Sequence, residues 1–116
     1  MSSTSSQTLR SKKCLPCEGG VPTITVDQVP QYAQATPKWT VAEDCKSISR
    51  KINCKNFVAA MDLMNRIAEI AESEQHHPDF HLTGYRKLQI DLMTHAIGGL
   101  SENDFIVAAK IDEILE

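Results

Sequence analysis

The four histidines of the chain all lie between His76 and His95, with several carboxylates among them. Histidine has a reference pKa of about 6.5, so it can both donate and accept protons at neutral pH. Adjacent imidazoles such as those of His76 and His77 also couple electrostatically, because a proton on one disfavours a proton on the other. The cluster therefore predicts a site in which one histidine acts as an acid and another as a base.

Glu72 is the predicted carboxylate partner of this histidine pair. If the preceding helix continues to Gln75, Glu72 lies four residues before His76 on the same helical face and can accept a hydrogen bond from its ring. Pro78 restricts His77 to an extended conformation, so we expect the two imidazoles to point in different directions. The plainer alternative is that histidines at a helix C-terminus only interact with the helix dipole.

A metal site is the second chemistry that this spacing could support. His77, Asp79 and His81 would share one face of a strand, and two histidines with a carboxylate form a common ligand set. Same-face neighbours on a strand lie about 6.6 to 6.8 Å apart, however, whereas zinc ligands converge to within about 2.2 Å of the ion. We therefore expect no metal at this position, and we expect His81 to be a solvated strand residue.

The segment before the histidines predicts a long amphipathic helix. Asn56 is a suitable N-cap residue, and the apolar residues after it are spaced as one helical face. The members of this face are Phe57, Ala60, Met61, Met64, Ile67, Ala68 and Ala71. We expect Met61 and Met64 to fill the core, and the helix must end before Pro78 because the residue before a proline avoids the α region.

Alternating apolar and polar residues predict strands on both sides of this helix. The first strand pair begins near Trp39 and ends near Asn53, and the second extends from Asp79 to Ala96 with a bend near Gly84. The sequence Ser101-Glu102-Asn103-Asp104 is a capping-box signature that opens a final helix. The order ββαββα predicts an α+β fold with helices packed on one face of a four-stranded antiparallel sheet.

Composition and the positions of prolines and glycines indicate one ordinary globular domain with an N-terminal arm. The chain has 116 residues, of which 41% are apolar and 23% charged, and a net charge of −3. Prolines and glycines before position 38 predict a flexible arm over residues 1–37, irregular apart from a short helix around residues 27–35, and a folded domain over residues 38–116. Basic residues are scattered, so we expect no direct nucleic-acid binding.

The N-terminal residues also bear on localisation and on the cysteines. No apolar run is long enough for a membrane span, and we expect a cytoplasmic protein, with the serine-rich residues 1–13 as a weak indication of organellar targeting. Cys14 and Cys17 form a C-x-x-C pair that could hold zinc if a second pair completed the site. Cys45 and Cys54 lack paired spacing, so four reduced thiols are the expected state.

The residues around the histidines resemble the signature of the pterin-4a-carbinolamine dehydratases. The resemblance rests on the run from Glu72 to Asp79, on Tyr85, on Thr94-His95, and on Gly99-Leu100-Ser101-Glu102-Asn103-Asp104 with Ala108-Ala109 beyond. It covers roughly Trp39 to Leu115 and leaves the N-terminal arm uncovered. One extra residue near Gly84 and the two arm cysteines resemble the plant and protozoan branch of the family.

The resemblance implies a dehydratase that acts on a tetrahydropterin hydroxylated at C4a and releases quinonoid dihydropterin and water, with no cofactor and no metal. It implies that His77 binds the pterin and acts at N5, that His76 and His95 act as acids near the hydroxyl, and that Glu72 orients His76. Asp79 and Thr94 are implied to hold the pterin ring.

The resemblance also implies partners. The substrate would come from an aromatic amino-acid hydroxylase, and the protein would form a homodimer or homotetramer. Animal members of the family also serve as a dimerisation cofactor of a homeodomain transcription factor, so a non-catalytic binding module that joins other helices is the second hypothesis. An exposed apolar stripe on the predicted helix from Phe57 to Ala71 would favour self-association.

Overall fold

The structure is a computed structural model that describes residues 5–15 and 21–116. Its elements, in chain order, are α1 (Ser6–Ser11), α2 (Val29–Ala35), β1 (Thr40–Val41), β2 (Ile48–Asn53), α3 (Phe57–Glu74), β3 (Asp79–Thr83), β4 (Lys87–Leu92), a 3₁₀ turn (His95–Ile97) and α4 (Glu102–Leu115). The strands and the two long helices follow the predicted ββαββα order.

The four strands form one antiparallel sheet in the order β1-β2-β4-β3. In the inner strand β4, Leu88, Ile90 and Leu92 are at most 1% exposed and belong to the same core as the helices. The intervening residues of β4 lie on the other, more exposed face. This alternation places the helices on one face of the sheet and confirms the predicted α+β fold.

Helix α3 begins at the predicted cap, where Asn56 Oδ1 accepts a hydrogen bond from the Ala59 N–H at 2.8 Å. Its buried residues are Ala60, Leu63, Ile67, Ala71 and Glu74. The buried stripe is therefore rotated from the predicted one, and Phe57 and Met61 are 51% and 38% exposed. The prediction that Met61 fills the core is wrong, because two overlapping sets of residues satisfied the same helical period.

Helix α4 is the most deeply buried helix, with residues 105–109 at most 1% exposed. The predicted capping box is present: Ser101 Oγ accepts from the Asn103 N–H at 3.2 Å, and Asp104 Oδ2 accepts from the Ser101 N–H at 3.0 Å. The opposite end of α4 is tied to β2 and to the residue before β1, since Asp112 pairs with Arg50 and accepts a hydrogen bond from Trp39 Nε1 at 2.8 Å.

Residues before position 38 contribute to this core, although the sequence predicted a flexible arm there. Helix α2 lies within the predicted short helix, whereas α1 was not predicted. Leu9 of α1 is 1% exposed, and Arg10 Nε donates to the Ala109 carbonyl of α4 at 3.3 Å. The domain boundary at residue 38 stays a prediction, and Cys17 lies outside the described residues, so the C-x-x-C pair does too.

Candidate active site

The two adjacent histidines follow a left-handed turn at the end of α3. Gln75 has φ 53° and ψ 40°, and the His76 N–H returns to the Ala71 carbonyl at 3.1 Å. A non-glycine residue in this conformation costs about 1 to 2 kcal/mol. Gln75 Nε2 supports the turn by donating to the Glu72 carbonyl at 2.7 Å. The turn carries His76 inward towards α4 and leaves His77 at the surface.

His76 is buried against the first turn of α4. Its side chain is 4% exposed, and its Nε2 donates to Asp104 Oδ1 at 2.6 Å. The second oxygen, Asp104 Oδ2, accepts from Thr94 Oγ1 at 2.8 Å and from the Ser101 N–H at 3.0 Å. Both oxygens of the carboxylate therefore accept hydrogen bonds, which places a proton on Nε2 of His76 and orients its ring.

Glu72 pairs with His77, which corrects the predicted pairing with His76. Glu72 Oε2 accepts a hydrogen bond from His77 Nε2 at 3.0 Å, and the two side chains are 72% and 58% exposed. The correction has a simple cause. Helix α3 ends at Glu74, so the left-handed turn removes His76 from the helical face and brings His77, five positions after Glu72, within reach of the carboxylate. Asp104 holds the position beside His76 that the sequence assigned to Glu72.

His95 reaches the same region of the structure from the segment that follows β4. The predicted strand to Ala96 stops at Leu92, and His95 opens the 3₁₀ turn that Gly98 closes with φ 62°. One open cavity of about 190 Å³ is lined by Gln75, His76, His77, Met93, His95 and Ala96. Within the part of the chain that the structure describes, the His95 ring has no hydrogen-bond partner. The structure thus brings the three predicted histidines to one cavity, where each has a different environment.

The two residues predicted to hold the pterin ring each lie within two positions of a residue that lines this cavity. Thr94 is fully buried, its N–H donates to the Gly99 carbonyl at 2.8 Å, and its hydroxyl bonds Asp104. Asp79 is exposed at the start of β3, directly opposite Asp91 of β4. Neither side chain lines the cavity, and substrate binding by either residue stays a prediction.

His81 lies away from the cavity on the exposed face of the sheet, as the sequence predicted. Its Nε2 donates to Asp91 Oδ2 at 2.8 Å, and its side chain is 55% exposed. Within residues 5–15 and 21–116, no group of three histidine, cysteine or acidic side chains is placed to hold a metal ion.

Asp104 is the site residue that sequence reasoning missed. It lies 28 residues after His76, and its capping-box position already gave it a structural purpose. The available signal was its place at the start of a helix that must pack near the histidine junction.

The described residues include no helix long and apolar enough to cross a membrane.

Comparisons with known proteins agree on one family. A family model described as pterin 4 alpha carbinolamine dehydratase matches residues 22–114. A putative pterin-4-alpha-carbinolamine dehydratase of Halorhodospira halophila is 42% identical over 106 residues, which cover 91% of this chain and 96% of the relative. Pterin-4-alpha-carbinolamine dehydratase 2, mitochondrial, of Arabidopsis thaliana is 43% identical over 109 residues, with 91% of this chain and 58% of the relative covered.

The fold also has a solved counterpart. The crystal structure of a protein described as a transcriptional coactivator/pterin dehydratase from Brucella melitensis matches with a TM-score of 0.75 at 26% identity, and the match covers 82% of this chain and all of that one. The family match contains every histidine of the cavity, whereas helix α1 and the residues up to Leu15 precede it. On the extent of these matches, the chain belongs to the pterin-4a-carbinolamine dehydratase family, a family of lyases.

Proposed function

We propose that the protein dehydrates 4a-hydroxytetrahydropterins by histidine general acid and base catalysis. The observation that carries the proposal is that His76, His77 and His95 line one cavity, while His76 and His77 each donate to a different carboxylate. The reaction removes the N5 proton and the 4a-hydroxyl, forms the N5–C4a double bond and releases water. It needs one base and one acid and involves no external oxidant or reductant. The names of the relatives support the pterin as substrate.

We assign the base at N5 to His77. Its Nε2–H is donated to Glu72, which leaves Nδ1 as the nitrogen that can accept a proton. When Nδ1 takes the N5 proton, the ring becomes positively charged, and the Glu72 carboxylate stabilises that charge. The exposure of His77 is consistent with direct contact to a bound substrate.

We assign the protonation of the departing hydroxyl to His76 and His95. Asp104 accepts the hydrogen bond of His76 Nε2 and orients its ring, and an oriented histidine can act as a general acid. His95 is exposed and has no hydrogen-bond partner among the described residues, so it can exchange protons with solvent between turnovers. We retain Asp79 and Thr94 as proposed contacts of the pterin ring, the latter through the loop that it supports.

The test is the rate at which a chemically generated 4a-hydroxytetrahydropterin loses water in the presence of a chelator, followed by absorbance. We expect His77→Ala to lower kcat by at least about 100-fold. His81→Ala is the matched control, because this exposed histidine also bonds a carboxylate but lies outside the cavity, and the kcat of this variant should stay close to that of wild type. An unaccelerated reaction with wild-type protein, or equal losses in both variants, would overturn the proposal.

We further propose that the protein assembles as a homodimer or homotetramer through the first turns of α3. Phe57, Val58 and Met61 are 51%, 66% and 38% exposed, and they form an adjacent apolar patch of the kind that marks interaction surfaces. Light scattering after size exclusion should give a multiple of the chain mass for wild type and a smaller mass for Val58→Glu. A monomeric wild type would contradict this assembly.

The same patch favours one second candidate function, a non-catalytic binding module that joins other helices. The description of the Brucella melitensis protein as a coactivator also supports it. The dehydration assay separates the two candidates, since a binding module would not accelerate water loss.

In the catalytic case we propose that an aromatic amino-acid hydroxylase supplies the substrate in the cytoplasm. Mitochondrial recovery on cell fractionation would contradict that location, and the name of the Arabidopsis thaliana relative makes it the alternative to test.

A further inference from the structure

The peptide Cys14–Leu15 connects the two helix ends that carry the buried histidine and its carboxylate. The Cys14 N–H donates to Glu74 Oε1 at 2.8 Å, at the end of α3. The Leu15 N–H donates to Asn103 Oδ1 at 3.0 Å, and the Leu15 carbonyl accepts from Asn103 Nδ2 at 2.8 Å, at the start of α4. Two consecutive residues of the N-terminal segment are therefore bonded to both helices.

Both anchor residues adjoin the site. Glu74 is the last residue of α3 and lies two positions before His76, while Asn103 directly precedes Asp104. The 2.6 Å hydrogen bond between His76 and Asp104 joins the same two helix ends. The peptide and the histidine–carboxylate pair therefore bridge the same two helix ends.

The chemistry of the anchors suits a rigid connection. Asn103 is 1% exposed, and its carboxamide donates and accepts at once, which matches the N–H and C=O of one backbone residue. Glu74 is 7% exposed and pairs with Lys110 through its other oxygen. Burial acts to raise the pKa of Glu74, but the hydrogen bonds and charge of Lys110 and the Cys14 N–H outweigh it and lower the pKa. The Cys14 N–H therefore meets a charged acceptor at neutral pH.

We propose that the Cys14–Leu15 peptide is a clamp that positions Asp104 against His76 for the dehydration. Glu74 and Asn103 are then positioning residues that act through this pair and do not touch the substrate. The inference rests on the proposed function, because it assigns the clamp a purpose in that reaction. The clamp belongs to a segment that precedes the family match over residues 22–114. Proton transfer depends on geometry, and a displacement of about 1 Å can lower a rate by about 100-fold.

The experiment compares three full-length variants. Asn103→Ala removes both bonds to Leu15, whereas Leu15→Pro removes the Leu15 N–H donor by a change outside α4. Arg10→Met is the matched control, because it removes the hydrogen bond from the same N-terminal segment to the Ala109 carbonyl, away from the site. For Asn103→Ala and Leu15→Pro we expect kcat to fall between about 10-fold and 100-fold, with KM within about twofold.

A second readout separates positioning from stability. The His76 Nε2–H proton, bonded to Asp104, should give a downfield proton NMR resonance whose solvent exchange accelerates in Asn103→Ala and Leu15→Pro. Arg10→Met should lower the unfolding midpoint and leave both kcat and this exchange rate unchanged. If Asn103→Ala does not fold, Leu15→Pro decides the question by the same two readouts.

Wild-type kcat and wild-type exchange in a folded Asn103→Ala or Leu15→Pro protein would overturn the clamp. Equal losses of kcat in Arg10→Met would also overturn it, because they would indicate a general effect of stability. If wild-type protein shows no dehydratase activity, the proposed function fails, whereas the exchange comparison still determines whether the peptide holds Asp104 against His76.

Discussion

Replacement of Asp104 by asparagine should invert the tautomer of His76. In the native site, Oδ2 faces two donors, the Thr94 hydroxyl and the Ser101 N–H, at 2.8 and 3.0 Å. The Ser101 N–H can only donate, so the amide oxygen of the substituted side chain must occupy this side. The amide NH₂ group then faces His76 Nε2, where the native carboxylate oxygen accepts at 2.6 Å. His76 would have to present an unprotonated Nε2 and move its proton to Nδ1.

The size of the effect follows from these contacts. Asp104→Asn keeps the two hydrogen bonds on the Oδ2 side and exchanges one charge-assisted bond for a neutral one, so we expect the free energy of unfolding to fall by about 1 to 2 kcal/mol. A domain of this size retains its fold after such a loss when its stability is ordinary. The catalytic cost is larger, because the amide cannot stabilise a protonated His76. General acid or base catalysis contributes about 10²- to 10⁴-fold, and we expect kcat to fall by a factor in this range.

The assay combines the chelated dehydration measurement with urea unfolding of the same samples. Asp91→Asn provides the control, since it also replaces the carboxylate partner of a histidine, the exposed His81. We expect Asp91→Asn to retain kcat close to that of wild type and to change stability by less than about 1 kcal/mol. A folded Asp104→Asn protein with the kcat of wild type would refute the tautomer argument.

Two further predictions concern the docked N-terminal segment. Burial, followed by the charge and hydrogen bond of Glu74, raises the pKa of the Cys14 thiol from 9.0 to about 12. At neutral to mildly alkaline pH its thiolate fraction is then about 1,000-fold lower than that of an ordinary cysteine, so iodoacetamide should label native Cys14 far more slowly than Cys45 by mass spectrometry, and equal rates would argue against docking. The pKa of Glu74 in the folded protein is lowered from its ordinary value of 4.5, so its carboxylate stabilises the fold above pH 4.5. This stabilisation is lost as the pH falls through the folded-state pKa. Urea unfolding should therefore give Glu74→Gln a lower free energy of unfolding than wild type at neutral pH, and this difference should shrink as the pH falls below 4.5. A difference that does not change with pH would count against the charged anchor.

Local signals predicted most of the fold. The caps at Asn56 and Ser101 depend on side chains within three residues of the helix start, and the alternation in β4 reflects one buried face, so both are visible in a short window of sequence. Helix α1 was not visible in this way, because six residues with a single large apolar side chain have no repeating face. Its stability comes from the burial of Leu9 against α4, a contact between distant parts of the chain.

The site was predicted as a group of histidines and corrected in its pairings. The clustering of His76, His77 and His95 followed from residue types and from the family signature. The partner of each imidazole depended on the left-handed conformation of Gln75, which residues other than glycine and asparagine rarely adopt. The Asp104 partner depended on tertiary packing between α3 and α4, which no local pattern encodes.

The docking of α1 on α4 also orders events during protein synthesis. Helix α1 precedes every other described element, and α4 follows them all. Helix α4, which packs on Leu9, is therefore the last of these elements to leave the ribosome. The contact between Arg10 and Ala109 closes a loop of 99 residues, and the entropy cost of closure rises with loop length. Until α4 has been synthesised, the nascent chain lacks the surface that buries Leu9, and chaperones that recognise apolar segments can bind it. Burial of Leu9 against α4 therefore follows the synthesis of all the other described elements.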